Sequence, residues 1–553
     1  MEWNDIHKKV FSEYARYIVH MRKQFQADRF GLVFGAGVSK PLGGPTWKEL
    51  NTLVAKDPSV QGEKCCSERE SEPIVTQRLY EHYKLKHLPT GVSTPRETIK
   101  QELTILRNFK IILHKHLYSN SKFPSREDKI KDNHPYLANY LKILRNSYLT
   151  VNYNFDDYIE SLLSQERTKE EKSKTRGYET VTDINIPFRQ NRRVIYHPNG
   201  FLPHAKMESG TKLVFSENEF ADQLIGVTTG HYSSLIHHYC NNSCLFIGIS
   251  LNDPTLKHIL KLVVRINPGR CHYFVQHYDE KEGDFDQELK NAIFAANFET
   301  YNLITLFLCD KEIAAFADLI ESGYKEEHQD SDISRLANIT HKPLIYCYYV
   351  VGAIGVGKST TIAYFRDLVT FDEWFEPREL DLGKQPESLP PSRIPEIDKW
   401  IARQFTLKNH EISQVTSGII LVDRCPLDPI SFTPYEKWQE KAKFLLDKIL
   451  EESKEVVSGH IILLLDDPAV LELRLITSPK EYTENRLKKL QEDIEKIYHM
   501  KGVSKLDAKY MTSHEIIKKV AKIIYTEDYI EIDIKKELEK IQEGDAKCLK
   551  KKD

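Results

Sequence analysis

The 553-residue chain has no apolar run near the roughly 20 residues that a membrane-spanning helix needs; its longest runs are around 244–251 and 461–465. Its first residues, Met-Glu-Trp-Asn-Asp, have neither the basic nor the apolar region of a secretory signal. A cytoplasmic protein with no membrane partner is therefore expected. The nine cysteines contain no Cys-x2-Cys pair, which argues against a zinc ribbon, and an odd number without a regular framework suits a reducing compartment. His237, His238, Cys240 and Cys244 are the one cluster of metal-ligand residue types. A buried helix-to-strand junction is the simpler reading, because no second ligand pair accompanies them. Excess charge is missing too: 78 Lys+Arg face 81 Asp+Glu, a net charge of -3, so nothing attracts nucleic acid or an anionic membrane. No specific nucleic-acid partner is expected.

What is present is a globular composition, 40% hydrophobic and 29% charged, in a chain too long for one ordinary core, so two domains are expected. Two glycine loops each follow an apolar run. Gly35-Ala36-Gly37-Val38-Ser39 follows residues 30–34, and Gly352-Ala-Ile-Gly355-Val-Gly357-Lys358-Ser359 follows residues 344–351. Glycine lets the backbone approach a phosphate, and a following helix N-terminus supplies free N–H groups and a positive dipole end. The second loop satisfies the full Walker A spacing, which assigns Lys358 to β/γ phosphates and the Ser359 hydroxyl to Mg2+, with Thr360 beside it. The first is weaker alone, since a tight turn in any α/β domain looks the same.

Ile6, Val10, Tyr14, Tyr17 and Met21 recur at helical spacing and predict an amphipathic helix. Residues 56–133 are polar and read as a helical insertion. Strands are predicted at 148–151, 194–196, 213–215, 244–249, 272–275 and 303–308, and after the polar segment 321–332 a second series begins, at 344–351, 419–422 and 461–465. Strands interleaved with helices imply parallel α/β sheets. Leu487, Leu490, Ile494 and Ile497 form a core-facing helical stripe, and the Lys-rich 547–552 reads as a solvated tail.

Three later segments at predicted strand ends add meaning to the first loop: Asn152-Tyr-Asn154-Phe-Asp156-Asp157-Tyr-Ile-Glu160, His197-Pro-Asn199-Gly200 and Gly248-Ile-Ser250-Leu-Asn-Asp253. With Gly35 to Ser39 and Gly44-Pro-Thr-Trp47 they resemble, in order, the blocks of sirtuin-like domains, especially the NAD-hydrolysing branch of bacterial antiphage defence, over roughly residues 25–300. The resemblance implies that Asn154 binds the nicotinamide ribose and places a water, with Asp156 beside it and Asn152 as fallback for Asn154. Gly35, Ala36, Gly37, Ser39, Asn152, Asn199, Gly248, Ser250 and Asp253 would bind NAD+. The family's His-Gly stands here as Asn199-Gly200, which leaves His197 as the proton-transfer group and His204 as a weaker substitute. The deacetylase Asp-Phe-Arg block and zinc cysteines are absent, so NAD+ cleavage is expected over deacetylation.

In the second half, Asp423-Arg424 after an apolar run resembles the Asp-Arg element of deoxynucleoside and thymidylate kinases, which implies that Asp423 assists Mg2+ and Arg424 faces the substrate or transferred phosphate. Glu376-Pro377 resembles the element carrying their base, and Arg474 and Arg486 are candidate lid arginines. The expectation is an α/β protein of two domains: residues 1–320, a sirtuin-like Rossmann-type parallel sheet with the insertion; a linker, 321–342; and residues 343–553, a P-loop kinase-like parallel sheet. Its expected function is an antiphage effector that hydrolyses NAD+ to nicotinamide and ADP-ribose, controlled by a domain that senses ATP or another nucleotide with Mg2+. Small-molecule nucleotides, a homo-oligomeric assembly and a phage-derived trigger are the implied partners. The alternative is a nucleoside or nucleoside-monophosphate kinase with a regulatory NAD-binding domain.

Overall fold

The computed structural model describes residues 3–66, 70–89, 94–122, 135–165, 178–183, 193–205, 212–281, 283–322, 330–379, 381–382, 389–476 and 482–544. The chain divides into two compact units. One comprises Met1–Phe11, Gln24–Ile266 and Cys271–Glu326; the other comprises Ser12–Lys23, Asn267–Arg270 and Glu327–Asp553. Of the expected linker, residues 330–340 form the helix Asp330–Thr340, whereas Glu326 and Glu327 lie outside the described residues. The tail at 547–552 also lies outside them.

The first unit is built on β1 (Phe30–Phe34), β2 (Leu149–Asn152), β3 (Tyr178–Val181), β4 (Arg193–Tyr196), β5 (Ser243–Ile247), β6 (His272–His277) and β7 (Leu303–Leu308). Their order is β3-β4-β2-β1-β5-β6-β7 and every pairing is parallel. β1 is buried along its whole length, as a central strand covered by helices on both faces must be. It pairs with β2 on one side and β5 on the other, so the strand order reverses there. Ligands of open parallel sheets bind outside the carboxyl ends of strands at such a reversal.

The second unit carries β8 (Ile345–Gly352), β9 (Val369–Phe371), β10 (Gly418–Asp423), β11 (His460–Leu465) and β12 (Ser504–Asp507), ordered β12-β11-β8-β10-β9 and again all parallel. Here β8 is the central strand, flanked by β10 and β11. The α/β class with two parallel sheets is thus observed.

The periodic N-terminal segment is the helix Asp5–Gln26, with Tyr14 departing from helical backbone angles. Within the expected insertion lie the helices Glu72–His87 and Pro95–Leu117; 67–69, 90–93 and 123–133 are outside the described residues. The stripe Leu487, Leu490, Ile494 and Ile497 is buried on the helix Glu484–Ile497. One strand expectation fails: 213–215 is not a strand. Its apolar side chains are buried, but its backbone is tied by Val214 N donating to Asn199 O (2.7 Å), not by a ladder. β3, β9 and β12 carry no apolar run because each ends its sheet only partly buried, whereas β7, the other edge strand, is buried along its length and is the expected strand at 303–308. Half-covered edge strands such as Ser504-Lys-Leu-Asp507 need no continuous apolar run. The His237–Cys244 cluster is a helix-to-strand junction, the helix Ser233–Asn241 leading into β5. Among the described residues no group of three or more His, Cys, Asp or Glu converges as a metal site. Nor is any helix among them long and apolar enough to cross a membrane.

Gly248 has φ +63°, and a Cβ there would stand 2.5 Å from Val38 N. Gly248→Ala is expected to destabilise the first unit by more than about 1 kcal/mol, through strain and clash together. The check is the urea or thermal unfolding midpoint beside wild type.

Candidate functional site

At the reversal in the first sheet, three strand ends converge through backbone contact. Gly35 N donates to Ile247 O (3.1 Å) and Gly37 N to Gly248 O (2.8 Å). A Cβ on Gly35 would meet Gly248 O at 2.6 Å, and one on Gly37 would meet Gly248 Cα at 2.7 Å. These glycines let the β1 and β5 loops touch. Ala36 opens the short helix Ala36–Ser39, and Ser39 at its end is buried.

From the adjoining end of β2, Asn154 Nδ2 donates to Ser39 Oγ (3.0 Å), and Asn154 N donates to Asn152 Oδ1 (3.1 Å). Asn152 is fully buried, and its Nδ2 has no hydrogen-bond partner. An orphaned donor beside a glycine loop fits a ligand rich in acceptors, as a dinucleotide is. Asp156 accepts from Tyr158 N (3.2 Å). Burial pushes its carboxyl up to about 7, against the Ser39 hydroxyl and the Tyr158 N–H, with the Glu160 charge adding and His197 opposing.

His197, at the end of β4, lies beside this loop with no exposed surface. Its Nδ1 is 2.7 Å from Asn154 O and its Nε2 is 2.8 Å from Glu160 Oε1. Burial acts to lower its pKa; the Glu160 charge and hydrogen bond outweigh that and hold it above the ordinary value. Asn199 Nδ2 donates to Asp253 Oδ2 (3.3 Å) and to Tyr153 O (3.4 Å), while its Oδ1 accepts from Gln223 Nε2 (3.3 Å). Burial raises the Asp253 carboxyl above its usual range. Ser250 is exposed on the β5 loop. His204 joins the neighbourhood by its backbone, N to Asp157 Oδ2 (3.0 Å). Glu160 also borders an open cleft of about 470 Å³, with Ser161, Ser164, Tyr178, Thr180 and Phe201 along it.

In the second unit, β8 ends in Gly352 (φ +145°), where a Cβ would lie 2.4 Å from Leu464 O. Gly355 and Gly357 are also left-handed, at +83° and +101°, and a Cβ on Gly357 would meet nothing within 4 Å. Lys358 Nζ donates to the carbonyls of Gly352 and Ala353 (both 3.0 Å). Burial and the neighbouring Arg424 lower its pKa to about 8, against the pull of Asp423, Asp428 and Glu373. Ser359 Oγ donates to Asp423 Oδ2 (2.6 Å), and Asp423 Oδ1 is buried without a partner. A hydroxyl and a carboxylate with one unmatched oxygen are a donor set that fits a hard divalent cation. Thr360 is exposed next to them.

Arg424 has φ +69°. Its Nε donates to Glu373 Oε1 (2.7 Å) and its Nη1 to Asp428 Oδ2 (3.3 Å). The acids beside Arg424 are therefore Glu373 and Asp428. Glu376 instead faces Gln404 Nε2 (2.6 Å) and Arg403 Nη2 (3.1 Å). Arg474 reaches the loop, Nη1 to Gly355 O (3.4 Å) and Nη2 to Asp466 Oδ2 (2.9 Å); Arg486 lies over the Tyr482 ring.

Two residues absent from the sequence reading complete this site. Lys408 Nζ donates to Asp423 O (2.7 Å) and Glu373 O (3.0 Å). Gln404 Oε1 accepts from the backbone N–H of Phe375 and Glu376 (3.0 and 3.1 Å). Both belong to the helix Arg393–Ser413 and are buried. Their i, i+4 spacing with Ile412 is the signal that could have exposed them, two polar residues inside an otherwise inward-facing stripe.

With this geometry in place, a family model described as a SIR2-like domain matches residues 147–303. The chain thus carries a SIR2-like domain, and the match includes Asn152, Asn154, Asp156, Glu160, His197, Asn199, Gly248 and Asp253. No curated protein matches the chain. Among solved structures, a gluconokinase from Sinorhizobium meliloti 1021 is 13% identical, with 37% of this chain and 97% of that chain covered and a TM-score of 0.20. The NadR protein in complex with NAD and AMP-PNP is 13% identical over 69% of this chain and 89% of its own, with a TM-score of 0.25. In complex with NR, NadR gives the same identity and coverage at 0.26. Likenesses this distant assign no activity.

Lys358→Met is expected to weaken binding of ATP with Mg2+. Loss of a charge-assisted contact costs about 1.5–3 kcal/mol, roughly ten- to a hundredfold in Kd. Calorimetric titration checks it; unchanged affinity would remove the P-loop from nucleotide binding.

Proposed function

We propose that the first unit cleaves NAD+ to nicotinamide and ADP-ribose and that the second, binding ATP or a related nucleotide with Mg2+, controls it as a sensor in antiphage defence. The observation that carries the reading is the Ser39–Asn154–Asp156 group at the sheet reversal, of which Asn154 and Asp156 fall inside the SIR2-like match. Nicotinamide leaves a ribosyl cation as a neutral base, so the site must steady an oxocarbenium-like state and hold a water against it. Asn154, fixed through Ser39, is suited to orient ribose and water. Asp156, titrating near neutrality, is suited to take the proton from that water, since a base works best with a pKa near the working pH. His197 has both ring nitrogens engaged by the protein, so it contributes through Asn154 and not by touching NAD+.

In the second unit Lys358, Ser359 and Asp423 would hold the triphosphate and Mg2+, the ion supplying charge neutralisation at the phosphates. That set is also what the alternative reading requires, a nucleoside or nucleoside-monophosphate kinase with an NAD-binding regulator. The two separate in one experiment: nicotinamide release from NAD+ with and without ATP, Mg2+ and a deoxynucleoside panel, with phosphorylated products followed in parallel. Release that a nucleotide switches on supports the sensor. No release, with phosphorylation of a panel member, supports the kinase.

Asn154→Ala is expected to abolish release. In wild type the rate should fall as pH drops through about 7, because Asp156 must be the carboxylate to accept a proton and its pKa is raised; an acid limb at pH 4 instead would exclude Asp156 as base. The pH profile of kcat/KM is the measurement.

A further inference from the structure

The proton count at His197 is fixed by its neighbours. The Asn154 carbonyl at 2.7 Å can only accept, so Nδ1 carries a hydrogen in either charge state of the ring. Nε2 faces the Glu160 carboxyl at 2.8 Å, and a single proton lies between the two. The Phe201 ring, with its centroid 4.7 Å from that of His197, packs alongside, and Asp156 is the other charged group acting on the imidazole. Without a partner at Nε2, the ring would be free to hold its hydrogen there and turn a bare Nδ1 toward the Asn154 carbonyl, acceptor against acceptor. We propose that Glu160 is a positioning residue. It locks His197 in the state with hydrogen on Nδ1, and this holds the Asn152–Asp157 loop where the Asn154 amide meets Ser39. The pair is a lock on geometry and not a route for the reaction's proton. This inference rests on the NAD+ cleavage reading for its kinetic consequence, though not for its spectroscopic one.

The lock predicts a split between two substitutions. Glu160→Ala removes the partner of Nε2, and kcat for nicotinamide release should fall roughly ten- to a hundredfold with KM little changed, as misplacement of a catalytic group does. Glu160→Gln offers an amide N–H to Nε2 of the neutral ring, keeps the hydrogen on Nδ1, and should recover most of that loss. A role confined to stability would lower Tm in both variants without this split in kcat. Imidazole 15N spectra should show Nδ1 protonated in wild type and Glu160→Gln, whether or not Glu160→Ala folds. Glu160→Gln as deficient as Glu160→Ala would overturn the lock in favour of proton transfer through the carboxylate, and an unprotonated Nδ1 in wild type would overturn it outright. Wild type that releases no nicotinamide would sink the NAD+ cleavage reading alone, and the lock would then be decided by the 15N spectra.

Discussion

Everything at both sites hangs on one steric constraint: the central strand of each sheet ends where a neighbouring backbone already occupies the space of a Cβ. At Gly35 that space belongs to Gly248 O, at 2.6 Å, and at Gly352 to Leu464 O, at 2.4 Å. A side chain at either point would push apart strands that must hydrogen-bond. Only glycine allows the loop after the central strand to turn against its neighbour, and that turn leaves a concave edge lined by the other strand ends. Glycines further along differ in purpose. Gly357, with open space around its missing Cβ, is free to face a phosphate. A glycine loop is thus part packing device and part ligand cradle, and the two parts are separable residue by residue.

The polar groups collected at the two edges differ in sign and solvation, and the difference matches the chemistry proposed for each. The first edge gathers neutral amides around carboxyl groups, and burial keeps Asp156 near neutrality. A site with few fixed cations suits a pyridinium ribosyl substrate, whose positive charge passes from the ring nitrogen to the ribosyl carbon as the bond breaks. The second edge gathers Lys358, Lys408 and Arg424 against Asp423, Asp428 and Glu373. Burial brings both lysines down to about 8, so the negative charge of an incoming polyphosphate would favour their charged forms.

How far the sequence foretold this follows from burial. Strands covered on both faces, such as β1, β5, β8 and β11, announce themselves as apolar runs followed by glycine or an acid. The partly exposed edge strands β3, β9 and β12 do not, and with β9 hidden Glu373, two residues beyond it, was hidden too. Glu376, next to a proline, resembles the element carrying the kinase base, whereas Glu373, which no motif singles out, stands with Asp428 at Arg424. The Asn154 and Asp156 placements were legible because short blocks fix their distance from a strand end. The enclosure of His197 was not. Sequence proximity to Asn199 says nothing about which atoms a ring meets, and the partner that decides its state, Glu160, comes from the helix Tyr158–Gln165, after another strand.

That partner also bears on the missing His-Gly histidine. Asn199 occupies the position and is itself held, by Asp253, Gln223 and the Tyr153 carbonyl. An amide cannot take up a proton at neutral pH, and a ring with both nitrogens spoken for cannot deliver one to a substrate. Of the groups converging at the reversal, Asp156 combines contact with the Ser39–Asn154 pair and a pKa near neutrality. In the proposed reaction a chain with asparagine at this position would keep a proton acceptor in the buried Asp156, provided the loop carrying it is held still. The Glu160–His197 pair does the holding. In the proposed mechanism Asn199 and the lock at position 160 would be two halves of one solution, with the imidazole fixing the backbone of the residues proposed to meet the substrate.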